Sequence, residues 1–247
     1  MGVSIPPETN WFNSFEPFGV THAVVVIVTA ALIVWSCRRG KRRFGTPAER
    51  TFRKKWVLSI VFVQILHMGY WLMPDHFDIG TSLPLHLCDL VVWVAAAALT
   101  WDKRWVRALL YFWAIGLSTQ AFFTPVLRQG PATVHFWFFW ITHVQIVGSA
   151  IYDVAARGYR PTGRDYLTIT IANFAYLGLV TPFNLLLGVN YGYLGESRPN
   201  VTTIIDALGT WPMRLVWVAL IVQGGMLGMW LVWPGVRMLR TKPAPDA

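Results

Sequence analysis

The sequence predicts an all-α membrane protein, a bundle of seven transmembrane helices with the N-terminus outside and the C-terminus cytoplasmic. Three observations carry that reading. Charged residues make up only 13% of the 247-residue chain, against about 25% in soluble domains. Hydrophobic residues make up 55%, with 14 tryptophans and a mean hydropathy of +0.45. The net charge of +9 is gathered in segments that alternate along the chain. The run Arg38-Arg39-Gly40-Lys41-Arg42-Arg43, followed by Arg50, Arg53, Lys54 and Lys55, lies between two apolar stretches. That is the pattern of a positive cytoplasmic loop and not of a nucleic-acid patch, so no nucleic-acid partner is expected.

Residues 1–16, with Pro6, Pro7, Glu8 and Glu16 beside Trp11 and Phe12, read as an irregular segment at an interface. This acidic, proline-rich start lacks the basic flank of a cleavable signal peptide. A first span follows at about 17–37, long enough for a hydrocarbon core that needs about 20 residues. The second lies at about 56–73, and the acidic connection Pro74–Asp78 leads to the third at about 83–100. The fourth is expected at about 106–124, the fifth at 132–152, the sixth at 166–188 and the seventh at 213–236. Lys and Arg crowd the first, third and fifth loops and the C-terminal tail, which sets the orientation. No internal repeat argues for an inverted-repeat transporter, and residues 1–247 read as a single transmembrane domain.

With this topology the depth of each polar side chain follows. Gln64 and His67 fall in the outer half of the second span, three residues apart and so on one helix face. His86, Cys88 and Asp89 stand near the outer end of the third, Gln120 and Thr124 near that of the fourth. His135 begins the fifth span with His143 two turns deeper, and Thr181, Asn184, Asn190, Tyr191 and Tyr193 gather around the exit of the sixth. Polar groups from five helices thus converge on one level, as a cavity open to the outer leaflet requires.

The stretch Thr81-Ser82-Leu83-Pro84-Leu85-His86-Leu87-Cys88-Asp89-Leu90 is the most chemically unusual. Pro84 suits a first helical turn and Thr81 or Ser82 can cap it, so the third helix is expected to begin here with Cys88 about one turn in. The amides of a helix start favour the thiolate, the nucleophilic form, while an apolar wall opposes it. Asp89 is costly inside a membrane unless paired or facing a polar cavity. Each residue also has a structural reading. Gln64 with His67 can be interhelical glue, His86 and Asp89 can satisfy one another, and Cys88 alone can be a small core residue. His22 and His76 read as interfacial or loop histidines. Cys37 reads as inert, and at the far end of its span it is out of disulfide reach of Cys88.

The pieces Leu83-Pro-Leu-His-Leu-Cys88, Thr119-Gln-Ala-Phe-Phe-Thr-Pro125, His143, Asn190-Tyr-Gly-Tyr-Leu194 and Leu208-Gly-Thr-Trp-Pro212 resemble, in order, the YwaF-like bacterial integral membrane proteins related to eukaryotic transmembrane protein 164. That resemblance implies a seven-helix intramembrane acyltransferase-like fold, placed in the bacterial inner membrane, acting on phospholipid acyl esters. It implies Cys88 as nucleophile and His143 as general base, with an acyl-thioester intermediate. His86, Gln120 or Asn190 would then donate to the oxyanion; Asp89 departs from the family pattern.

The alternative is a small-molecule transporter or receptor that uses the same cavity without covalent chemistry. A retinal protein is excluded because Lys41, Lys54, Lys55, Lys103 and Lys242 all lie in loops or the tail. Haem or quinone ligation by His67, His86 and His143 is the weaker competitor, and neither metal nor cofactor is expected. Membrane lipids are the expected partners, and no motif specifies an oligomeric state.

Overall fold

A computed structural model of the chain describes residues 11–196 and 204–240, with side chains followed as far as Trp233. It is all-α among the described residues. The long helices are α1 (Val20–Arg42), α2 (Pro47–Trp71), α3 (Leu87–Trp101), α5 (Val134–Ala155), α6 (Gly163–Leu187) and α7 (Met213–Arg240). Between α3 and α5 lies α4 (Arg104–Leu109), which runs on as a π-helical segment, Leu110–Ile115, and ends in a 3₁₀ turn, Ser118–Phe122.

Helices α3 and α5 form the centre. Val91, Val92, Ala95, Ala96, Ala98 and Leu99 of α3 are all buried, and the small alanines let neighbouring helices approach closely. The π segment packs beside them, with Leu110, Phe112 and Ala114 fully enclosed. By contrast α1, α6 and α7 turn apolar side chains outward, Leu179 being 76% and Leu186 84% exposed. In water such surfaces would associate; in a bilayer they face lipid. Four helices, α1, α5, α6 and α7 as far as Trp233, are long and apolar enough to cross a membrane.

The second, third and fourth expected spans differ from prediction, each for a physical reason. Helix α2 begins at Pro47, not near Trp56, because the Thr46 hydroxyl accepts the Glu49 N–H and Pro47 occupies the first helical turn. Arg50, Arg53, Lys54 and Lys55 therefore stand on a helix and not in a loop. Helix α3 begins at Leu87, three residues later than Pro84 suggests, with extended His86 as its N-cap. Its 15 residues reach about 22 Å, short of a hydrocarbon core of about 30 Å. The preceding non-helical chain keeps its backbone satisfied: the Ser82 N–H donates to Asp78 O, and the Leu83 N–H to the Tyr191 hydroxyl at 3.0 Å. Such chain is tolerated at membrane depth where it lines a cavity. The fourth span is no continuous α-helix at all.

One end of the bundle is tied by ion pairs. Asp153 on α5 takes Arg107 Nε at 2.9 Å and Arg157 Nη1 at 2.8 Å, and Asp102 takes Arg157 Nη2 at 2.7 Å. Arg157 also donates to the Ala98 carbonyl, closing the C-terminus of α3. Arg104 pairs with Asp165, whose carboxylate completes the capping box of α6 with Thr162. Arg107 lies over the ring of Tyr159, and burial pushes that phenol above its ordinary range. On the same level Tyr152 donates to Glu49 at 2.9 Å, and its ring sits against Gly40, where a Cβ would collide with it.

The opposite end is closed by the N-terminal segment. Phe15 is buried against Leu127, Phe136 and Trp140, and its N–H donates to Arg128 O at 2.8 Å. His22 is not interfacial: it is buried, its Nδ1 accepts from the Phe18 N–H, and Nε2–H therefore donates to Phe122 O at 3.1 Å. His76 does lie in a connection, stacked on Tyr70.

Candidate functional site

A cavity of about 620 Å³ occupies the bundle away from the ion-paired end, walled by α2, α3, α5, α6, α7 and the chain before α3 and after the π segment. Of the residues singled out from the sequence, Cys88, His143, His86, Asp89, Gln120, Thr124, His67 and Tyr193 border it, as do Gln64 and His135. Asn184 and Asn190 have a different task. Asn184 donates to Tyr191 O and accepts the Tyr191 N–H, both at 2.9 Å, while Asn190 accepts the Gly195 N–H. They shape the loop that carries Tyr191–Tyr193 and do not border the cavity.

Cys88 is the second residue of α3, where the helix amides are still unpaired. Its Sγ lies 3.7 Å from the hydroxyl of Ser118, which is buried at the start of the 3₁₀ turn. Read as part of an unbroken helix, Ser118 carries no signal in the sequence. The π segment shifts the register of the chain before it, and this brings the hydroxyl to the sulfur. Asp89 is the third residue of α3, and its backbone N–H donates to the His86 carbonyl at 3.0 Å, so the proximity of His86 and Asp89 read from the sequence runs through the backbone.

Two of the four histidines that border the cavity have defined tautomers. Nδ1 of His143 lies 2.7 Å from the Phe139 carbonyl. A carbonyl can only accept, so Nδ1 carries the proton and Nε2 is the basic nitrogen of the neutral ring. Nδ1 of His86 accepts the Gly192 N–H at 3.4 Å, so in that ring the proton is on Nε2, a donor. Gly192 makes this possible: its φ of +63° suits glycine, and an added Cβ would run into the Tyr176 hydroxyl. That hydroxyl donates to Leu85 O at 2.8 Å and fixes the chain before α3. Tyr176 and Tyr193 border the cavity together with Cys88. Burial first, then the Cys88 sulfur, pushes the Tyr193 phenol upward, so it remains a protonated donor.

Both cysteines are free thiols. No group of three His, Cys, Asp or Glu side chains among the described residues is arranged to hold a metal ion. What the cavity offers is a thiol, a basic imidazole nitrogen and several neutral donors in a largely apolar enclosure.

Apolar outer faces around such an enclosure define a helical membrane protein with a cavity among its helices. The chain belongs to the TMEM164 family, whose model matches residues 17–230. Comparison with curated proteins and with solved structures gives no significant match.

Proposed function

We propose that the protein is an intramembrane acyltransferase, or a lipid hydrolase when water is the acceptor, acting on phospholipid acyl esters through Cys88. The observation that carries the reading is that Cys88, at a helix start with a hydroxyl beside its sulfur, and His143, presenting a basic Nε2, border one cavity.

In the first half-reaction the sulfur attacks the ester carbonyl carbon and the C–O bond breaks. His143 takes the thiol proton and returns it to the leaving alkoxide, leaving an acyl-thioester on Cys88. Nε2–H of His86 and the Tyr193 hydroxyl are the donors suited to the developing oxyanion, the contribution that usually dominates in acyl transfer. In the second half-reaction an acceptor hydroxyl attacks the thioester and the sulfur leaves. The proposal includes seven crossings with the cavity toward the outside and the basic, ion-paired end in the cytoplasm of a bacterium. Chain preceding α3 and the 3₁₀ turn following the π segment would complete the third and fourth crossings.

The test is covalent. Protein purified in phospholipid nanodiscs should accumulate a hydroxylamine-sensitive acyl adduct on Cys88, and His143→Ala should abolish turnover with the fold intact. A Cys88→Ala protein that still consumes phospholipid acyl esters would remove the nucleophile from the reading.

A further inference from the structure

The seam between α2 and α5 carries two polar pairs away from the cavity. Trp56 Nε1 donates to Ser149 Oγ at 2.9 Å, and Gln145 Nε2 to Ser59 Oγ at 3.4 Å. At the other end of the seam the rings of His67 and Phe138 are 5.0 Å apart. These pairs run antiparallel, 56 with 149, 59 with 145 and 67 with 138, so the level between them brings Gln64 opposite Thr142. Both border the cavity and both are almost wholly buried, at 1% and 4% exposure. Yet neither amide atom of Gln64 has a protein partner, nor has the Thr142 hydroxyl, nor Nδ1 of His67 one turn along.

Buried polar atoms are nearly always bonded, and leaving one unbonded is destabilising. A carboxamide and a hydroxyl at one level of the cavity wall, both without a protein partner, match a ligand group that both donates and accepts. The charge of the walls narrows the class: among the described residues no lysine or arginine borders the cavity, so a phosphate has no counter-charge there. The matching group is an uncharged hydroxyl. Thr142 adjoins His143 in the chain, and His67 and His143 border the same cavity.

We infer that Gln64, Thr142 and His67 form the acceptor subsite of the cavity, holding an uncharged aliphatic hydroxyl, such as that of a glyceride, beside His143. This rests on the acyl-transfer reading above. With the hydroxyl held there, its oxygen attacks the thioester carbonyl while His143 Nε2 takes its proton. The C–S bond breaks, and the Cys88 thiolate recovers that proton from the imidazolium. Any phosphate on the acceptor stays outside the α2–α5 wall.

The test uses the full chain in phosphatidylcholine nanodiscs. 1-Monooleoylglycerol and its dimethyl ether, which lacks free hydroxyls, are titrated in, and retained lipid is counted by native mass spectrometry. The wild type should retain the free-hydroxyl form about tenfold better, the scale of one good hydrogen bond. Gln64→Leu and Thr142→Val should each lose most of that preference. Because Gln64 has no protein partner, Gln64→Leu should melt no lower than the wild type, which separates lost recognition from lost fold. Equal retention of both lipids by the wild type, or a preference that survives both substitutions, overturns the subsite. In turnover, the variants should acylate Cys88 at the wild-type rate but discharge it to monooleoylglycerol about tenfold more slowly. A wild type that shows the retention pattern yet never acylates Cys88 keeps the hydroxyl subsite and removes the acyl-transfer reading.

Discussion

Ser118 places a hydroxyl beside the Cys88 sulfur. A hydroxyl donating to the sulfur steadies its anionic form, and at 3.7 Å that contact is a weak one. In a Cys37→Ala background, Ser118→Ala should therefore slow alkylation of Cys88 by a small neutral reagent by about threefold to tenfold, the range of one modest hydrogen bond. An unchanged rate would show that the hydroxyl does not matter to the sulfur. The sequence made the thiol, the carboxylate and the imidazoles visible as candidates, because each is out of place in an apolar helix. It did not reveal their roles. Asp89 falls in the first turn only because α3 starts at Leu87, and a start near Pro84 hides that. Asn184 and Asn190 carry the same polar signal as the cavity residues, but their partners are backbone groups seven and five residues along.

At the scale of elements, the helices lie where hydropathy alone leads one to expect them, and depart from expectation where backbone geometry decides. Helices α1, α5, α6 and α7 lie close to their expected places. The fourth span was legible as an apolar stretch, but no residue type marks the π segment that redirects it. Pro125, beyond the 3₁₀ turn, gives no hint of a break at Ile115. The chain carrying Gly192 depends on conformation as much as on chemistry. Gly192→Ala must hold a non-glycine residue at φ +63° and press a methyl group toward Tyr176, the first cost being about 1–2 kcal/mol. The variant should melt about 3–8 °C lower and should also lose the His86 contact, seen as a shifted His86 imidazole resonance in NMR. An unaltered melting temperature and an unaltered resonance together would mean that this loop does not position His86.

For the whole molecule, the division between an ion-paired end and a cavity end organises both stability and orientation. Asp153 is 2% and Arg157 4% exposed, so the pair is desolvated on both sides. Asp153→Asn leaves Arg157 with only the exposed Asp102 as counter-ion and takes from Arg107 its buried one. Breaking a buried pair from one side costs about 3–5 kcal/mol, which for a chain of this size lowers the melting temperature by about 6–20 °C. A drop under about 2 °C would show the network to be dispensable. The same end holds Lys41, Arg42 and Arg43, while the connection through Asp75 and Asp78 is acidic. If the positive end is cytoplasmic, then in a protein lacking Cys37 and Cys88 a single cysteine introduced by Asp75→Cys should react with a membrane-impermeant maleimide in intact spheroplasts. One introduced by Lys41→Cys should react only after the membrane is opened. The reverse pattern would turn the cavity toward the cytoplasm. The chemistry proposed for Cys88 would survive that result, but its lipid would have to come from the inner leaflet.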